Sequence, residues 1–266
     1  MTQPALSIIT ICFENPKELK ETLESIYPKY QPGDIEQIVI DGSRDNSCQK
    51  MIAPHRWIDI VVHEEDEGRY DAMNKGITHS SGRYLLFLNS GDFIHPRCDL
   101  KKIIDRLYKA PPEHLFYGDS LKRVGDTDFL YTVPREKQKI DIRKGCAPSH
   151  QAVFFPSDYC KTNRYDTSLP ISADTKLMTR AFQDLGSEHL NEKIAIFSIG
   201  GASNTWHSLA EVIDHWQQRR AARGYSALRY SPKLAKSLIK YSLMRTLGPN
   251  QYYKLSLPVR LSLFRK

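Results

Sequence analysis

The chain has 266 residues, 40% hydrophobic and 26% charged, a composition that excludes disordered and fibrous classes and allows a full core without disulfides. Its five cysteines, Cys12, Cys48, Cys98, Cys146 and Cys160, are odd in number and form no C-x-x-C pair, which argues against a disulfide framework or zinc site and points to a reducing cytoplasm. No apolar run reaches the ~18 residues of a spanning helix, no secretory signal precedes the first apolar segment, and the net charge of +7 is uneven. Residues 206–266 carry 12 Lys+Arg against two acids, Glu211 and Asp214, while residues 1–205 sum to −3.

In chain order, Ala5 to Cys12 is a short apolar run that predicts a buried strand. Helical spacing follows from Pro16 to Tyr27, with Asn15 placed to cap it. Strands are expected at Ile35 to Ile40, Trp57 to Val62 and Arg83 to Leu88, and helices at Arg69 to Thr78 and Leu100 to Tyr108. This β-α-β-α alternation predicts an α/β fold, a mainly parallel sheet with helices on both faces. The second half is less regular. Leu115 to Gly118, Phe129 to Val133, Gln151 to Phe155 and Ile194 to Ile199 are expected strands, and Ser172 to Leu185 a helix. A basic helix is expected from His207 to Arg223, followed by more basic helix.

Polar segments follow the carboxyl ends of the early strands, where open α/β sheets bind ligands. The run Leu88-Asn89-Ser90-Gly91-Asp92 is the sharpest of them. It ends a buried strand on one carboxylate, enough to hold Mg²⁺ or Mn²⁺ when a diphosphate completes the shell; Asp92 could equally cap the next segment. Asp41 and Asp45 stand after the second strand, as ligand contacts or as turn and cap residues. Asp71, Asn74 and Lys75 share one helical face, where Lys75 can pair with Asp71 or reach an anion.

Seven segments in order resemble the family 2 glycosyltransferases of GT-A fold, within them the bacterial enzymes of colanic-acid-type exopolysaccharide and O-antigen assembly. They are Leu6 to Cys12, Ile38 to Asp45, Asp66 to Ile77, Leu88 to Asp92, Ser149 to Phe155, Ser172 to Asp174 and Ser198 to Ser203. The resemblance implies a nucleotide-sugar donor held by Asp41, Asp71, Asn74, Lys75 and Ser90, with Arg69 a weaker candidate. It assigns the metal, Mn²⁺ or Mg²⁺, to Asp92, with Asn89 in place of the motif's first acid. It makes Asp174 the catalytic base of an inverting transfer and puts His150 and Gln151 on the acceptor side. Ser172 or Asp174 could also serve only as an N-cap. Gly200-Gly201 is expected in a flexible loop over the site or in a plain turn.

The organisation expected is a GT-A domain over 1–205 and a basic helical extension over 206–266. Processive members carry Gln-x-x-Arg-Trp, which Gln217-Gln218-Arg219-Arg220 does not match, so one sugar per encounter is expected. The basic, leucine-bearing tail could lie on an anionic bilayer or pack on the domain. The function expected is hexose transfer, galactose or glucose favoured, from a UDP-sugar to an undecaprenyl-diphosphate-linked N-acetylhexosamine. It would take place on the inner face of the cytoplasmic membrane, with no nucleic-acid partner. Two other readings are a sugar nucleotidyltransferase, which would need a Gly-rich phosphate loop that Cys12-Phe13-Glu14-Asn15 does not supply, and a non-catalytic membrane- or polyanion-binding protein.

Overall fold

The computed structural model describes residues 3–125, 127–131, 133, 135, 140–142, 146–199 and 206–263, the residues from 257 on as backbone. Four parallel strands form its first half: β1 (Leu6–Cys12), β2 (Ile35–Asp41), β3 (Ile60–His63) and β4 (Tyr84–Phe87), ordered β3-β2-β1-β4. Helices α1 (Pro16–Ile26), α2 (Ser47–Ile52), α3 (Arg69–His79) and α4 (Leu100–Tyr108) cover both faces. Side chains alternate across a strand. Ile38 and Ile40 therefore meet Met73 and Ile77 of α3, while Val39 meets Leu19, Leu23, Cys48 and Ile52 of α1 and α2. Burial on both faces explains why β1 and β2 are continuous apolar runs. Of the polar residues buried within them, Glu36 accepts hydrogen bonds from Ser7 Oγ, Ser81 N and Ser81 Oγ.

The second half adds β5 (Asp92–Ile94), β6 (His114–Val124), β7 (Thr127–Tyr131), β8 (Val153–Pro156) and β9 (Gly186–Ser198), with α5 (Ser157–Thr162) and α6 (Ala173–Asp184). β8 runs antiparallel to both β4 and β6, while β9 runs parallel to β6 and antiparallel to β5. The full order is β3-β2-β1-β4-β8-β6-β9-β5, with β7 on β6.

Several expected elements shift. Trp57 lies outside β3 because its ring packs against Tyr27 and Tyr30, at 5.4 and 5.2 Å between centroids. Asn15 precedes α1 but does not cap it, since its Oδ1 turns back to accept from Phe13 N. Gln151 falls in a 3₁₀ turn, His150–Ala152, ahead of β8 rather than in the strand. Asp92 both closes the turn after β4 and opens a short strand.

Beyond residue 205 stand α7 (Leu209–Ala222), α8 (Ala227–Leu247) and α9 (Pro249–Leu263). Ser208 caps α7 by accepting from Glu211 N, and Glu211 accepts from His207 N in return. These helices share a core with the sheet: Trp206, Val212, Tyr241, Met244, Tyr252 and Tyr253 pack with Val124, Phe129, Phe197 and Ile199. No helix among the described residues is long and apolar enough to cross a membrane. Gly200 and Gly201 lie outside the described residues.

Candidate active site

The carboxyl ends of β1, β2 and β4 open onto one edge of the sheet, and the polar segments gather there. After β4, Asp92 N donates to Asn89 O at 2.8 Å, closing a turn that requires φ +90° at Gly91. A side chain at that φ would be strained, so glycine lets the turn present Asp92. The Asp92 carboxylate is buried, and Gln151 Nε2 donates to its Oδ2 at 2.9 Å. Burial pushes its pKa up to about 7, partly offset by Gln151 and by the backbone of Ser198 and Asn89. Beside it, Asn89 Oδ1 and Ser90 Oγ are buried without a hydrogen-bond partner. Orphaned oxygens next to a buried carboxylate are uncommon in native proteins, and a bound cation or anion would satisfy them.

The β2 end is built differently. Asp41 is fully buried; its Oδ2 lies 2.9 Å from His63 Nδ1, and its Oδ1 accepts from Ser43 N at 3.0 Å. Ser43 Oγ accepts from Glu14 N, and Glu14 sits at φ +50°, a conformation rare for a residue with a side chain. Asp41 thus braces the Asp-Gly-Ser turn, and Ser43 and half-exposed His63 stand between it and solvent. Asp66 lies directly over Gly42: a Cβ there would fall 1.8 Å from Asp66 Oδ2. Cys12, Asp41 and Cys48 also cluster within 4.8 Å of one another. Burial raises the Cys12 thiol far above its ordinary range, and sulfur donors suit a softer cation than a diphosphate carries.

Asp174 opens α6. Its Oδ1 accepts from Tyr70 Oη at 3.2 Å and from Thr175 N at 2.6 Å. Tyr70 stacks on Tyr165 at 5.4 Å, Tyr165 meets Phe87 edge-on at 5.2 Å, and His150 stacks on Phe87 at 5.2 Å. The next residue, Gln151, binds Asp92. A continuous row of rings therefore joins the two carboxylates across the site.

The other expected site residues have the following partners. Asn74 Nδ2 donates to Tyr165 O and its Oδ1 accepts from Tyr165 N, both at 3.0 Å. Both ends of the amide are engaged, so Asn74 positions Tyr165. Lys75 Nζ is held by Glu64 Oε1 at 2.8 Å, Asp71 Oδ2 at 3.3 Å and Glu65 O at 2.6 Å. The pairing of Asp71 with Lys75 is the one the helical spacing allows. His150 is buried against Phe87, its Nε2 meets Tyr165 Oη, and burial lowers its pKa. Gln151 sits with the Asp92 carboxylate. Sequence reasoning gave no role to Tyr165, which no motif marks, or to Asp66, which only opens the segment Asp66 to Ile77. Asp66 could have been found by its place over the Gly42 turn only in three dimensions.

Comparison with known proteins bears on the family and the fold. Residues 7–166 match the model of the family described as glycosyl transferase family 2. An uncharacterized glycosyltransferase of Mycobacterium tuberculosis is 34% identical over 67% of this chain and 69% of its own. A PGL/p-HBAD biosynthesis glycosyltransferase of Mycobacterium bovis is 28% identical over 77% of this chain and 81% of its own. Among solved structures, S. aureus TarS 1-349 in complex with UDP-GlcNAc superposes with TM-score 0.62 at 15% identity, covering 88% of this chain and 71% of that one. The mannosyltransferase PcManGT from Pyrobaculum calidifontis, in complex with GDP-Man and Mn2+, superposes with TM-score 0.55 at 14% identity, covering 100% and 89%. At such identities the structural likeness establishes the GT-A fold alone. Joined to the family match and the sequence relatives, it places this chain in glycosyl transferase family 2, as a glycosyltransferase.

Proposed function

We propose that this glycosyltransferase moves a hexose, galactose or glucose favoured, from a UDP-sugar to a lipid-diphosphate-linked N-acetylhexosamine, with inversion and one sugar per encounter. One observation carries the reading: the buried Asp92 carboxylate, oriented by Gln151, stands beside orphaned oxygens of Asn89 and Ser90. These are hard oxygen donors on the end of a rigid strand and fit Mg²⁺ or Mn²⁺. Asp92 would hold the ion, with Asn89 and Ser90 toward the ion or the donor. A divalent ion bound there would stabilise the leaving nucleoside diphosphate. The solved neighbours hold UDP-GlcNAc in one case and GDP-Man with Mn2+ in the other, which supports a nucleotide-sugar donor.

Asp174 would act as base. The acceptor hydroxyl oxygen bonds to the anomeric carbon, the bond to the diphosphate breaks with its electron pair on oxygen, and the hydroxyl proton passes to Asp174. Tyr70 fixes that carboxylate through the bond to its Oδ1. At the β2 end, Ser43, His63 and Asp66 offer polar groups to the nucleotide, and Asp41 positions the first two. The basic C-terminal helices would rest on the anionic inner face of the membrane, where such an acceptor resides.

The test is hydrolysis and binding of UDP-hexoses with Mn²⁺ and after chelation. Metal-dependent turnover that Asp92→Ala abolishes is expected. If neither UDP- nor GDP-sugars bind, the reading fails.

A further inference from the structure

Val39 and Asp41 lie two residues apart on β2 and share the face that α1 and α2 cover. Cys12, the last residue of β1, is the register partner of Asp41 on the neighbouring strand, so its side chain leaves the sheet on the same side. Cys48, the second residue of α2, comes down onto that face and packs with Cys12 and Val39. The two thiols and the Asp41 carboxylate therefore meet beneath α2, one ligand atom from each lying within 4.8 Å of the others. The Cys12 thiol is 3.5 Å from Asp41 Oδ1, and it also hydrogen-bonds with Cys48.

Buried cysteines commonly act as small apolar fillers. Cys98 and Cys160 do so, each inside an apolar cluster. Cys12 and Cys48 differ in sharing their place with a carboxylate that is 0% exposed. A charge so deeply buried is ordinarily paired or bound to a metal. Among the described residues the ion-pair partner of Asp41 is His63, whose own charge depends on protonation, and not a lysine or arginine. The spacing suits a metal. With zinc about 2.3 Å from sulfur and about 2.1 Å from oxygen, tetrahedral ligands stand roughly 3.5 Å apart. Cys12 and Asp41 already have that separation. His63 Nδ1 and Ser43 N, at 2.9 and 3.0 Å from the two Asp41 oxygens, orient the carboxylate as outer partners of a metal ligand do.

We infer that Cys12, Cys48 and Asp41 form a binding site for a thiophilic divalent cation, of the zinc and cadmium class, that regulates the enzyme from beneath its nucleotide end. Two thiolates select against Mg²⁺ and Mn²⁺, which belong with the oxygen donors at Asp92. Binding releases both thiol protons to solvent, and three protein ligands leave the fourth position to water. The ion draws Asp41 Oδ1 away from Ser43 N, the bond that braces the Asp-Gly-Ser turn. Ser43 Oγ in turn holds Glu14 N, so the turns after β1 and β2 lose a shared brace. Donor binding weakens as a result. That consequence rests on the proposed nucleotide site, whereas the binding of the ion does not.

The test uses the full chain, reduced and stripped with chelator, and titrates it with Cd²⁺ while following the ultraviolet absorption of cadmium–thiolate bonds. Wild type is expected to take up one equivalent with that absorption. Losing an outer partner of a metal ligand costs about 10–100-fold in affinity, so losing a direct ligand in Cys48→Ala or Cys12→Ala should cost at least about tenfold. Cys146→Ser should bind as wild type does. X-ray absorption of the zinc-loaded wild type needs no variant and should show two sulfur ligands at about 2.3 Å. Unchanged Cd²⁺ affinity in both cysteine variants, or fewer than two sulfur ligands, would overturn the inference. With Mn²⁺ saturating, Zn²⁺ should raise the Kd for UDP about tenfold in wild type, the cost of one hydrogen bond to a carboxylate, and leave Cys48→Ala unaffected. Equal weakening in both would place the effect at the Asp92 ion and overturn the regulatory role. If UDP binds neither protein, the donor reading falls, while the Cd²⁺ titration still decides whether the thiols hold an ion.

Discussion

Gln151 Nε2 donates to Asp92 Oδ2 at 2.9 Å, which ties the turn before β8 to the turn after β4. The amide fixes the carboxylate's orientation from the 3₁₀ turn ahead of β8. Groups that orient a metal-binding side chain typically control 10–100-fold in affinity or activity. Gln151→Leu should therefore raise the Mn²⁺ concentration needed for half-maximal activity about tenfold, with little change in Tm. An unchanged metal requirement would mean that Asp92 does not hold the ion.

The raised pKa of Asp92 has a consequence for stability. In the ion-free protein it keeps its proton up to about pH 7, whereas an unfolded aspartate loses it near pH 4. Between these values the native state binds the extra proton, so stability falls as pH rises. From pH 5 to pH 8 the loss is on the order of 3 kcal/mol. Urea unfolding in chelator should show this slope in wild type and its absence in Asp92→Asn. Equal slopes would show that burial does not hold the proton there.

Asp174 and Tyr70 should separate by degree. Asp174→Asn is expected to abolish transfer while leaving UDP binding intact, because the substitution keeps shape and removes the proton acceptor. Tyr70→Phe removes one hydrogen bond to a carboxylate, a contribution of roughly 1.5–3 kcal/mol, and should lower kcat about tenfold or more. A fully active Asp174→Asn enzyme would take the base role from this residue.

Gly42 reports on Asp66. Alanine at 42 would drive its Cβ into the Asp66 carboxylate, the end of a side chain that can move away. The fold should survive, and the KM for donor should rise several-fold if Asp66 meets the nucleotide. By contrast, a Cβ at Gly82 falls 2.6 Å from the backbone N of Ser7, which cannot yield, so Gly82→Ala should lower Tm instead.

On α8, Leu228, Ile239 and Leu243 are exposed on one side, with Lys236 and Arg229 flanking them. Leu228→Glu/Ile239→Glu should reduce binding to anionic vesicles about tenfold without unfolding the protein. Truncation after Arg223 is a poorer probe, because it removes Tyr241, Met244, Tyr252 and Tyr253 from a core shared with β6, β7 and β9. Vesicle binding that ignores both glutamates would place the membrane contact elsewhere or nowhere.

The first half of the fold was legible in the sequence because its strands are buried on both faces. Leu6 to Cys12 and Ile35 to Ile40 announce themselves as apolar runs, and the helices between them by period. The order of motifs led to the family for the same local reason, since each turn follows its own strand. What the chain did not reveal is which polar atoms meet. Asn74 and Lys75 share a helical face with Asp71, yet one clasps Tyr165 and the other pairs with Glu64 and Asp71. His150 and Gln151 are adjacent, yet a single 3₁₀ turn sends one under Phe87 and the other to Asp92. The basic tail reads as one patch, but α7 ties Gln218 to Ile171 ahead of α6 while α8 turns Ile239 outward. Strand and helix identity follow from period and burial, which are local. Hydrogen-bond partners and charge neighbours depend on segments up to a hundred residues apart, and only the packed sheet and helices bring those together.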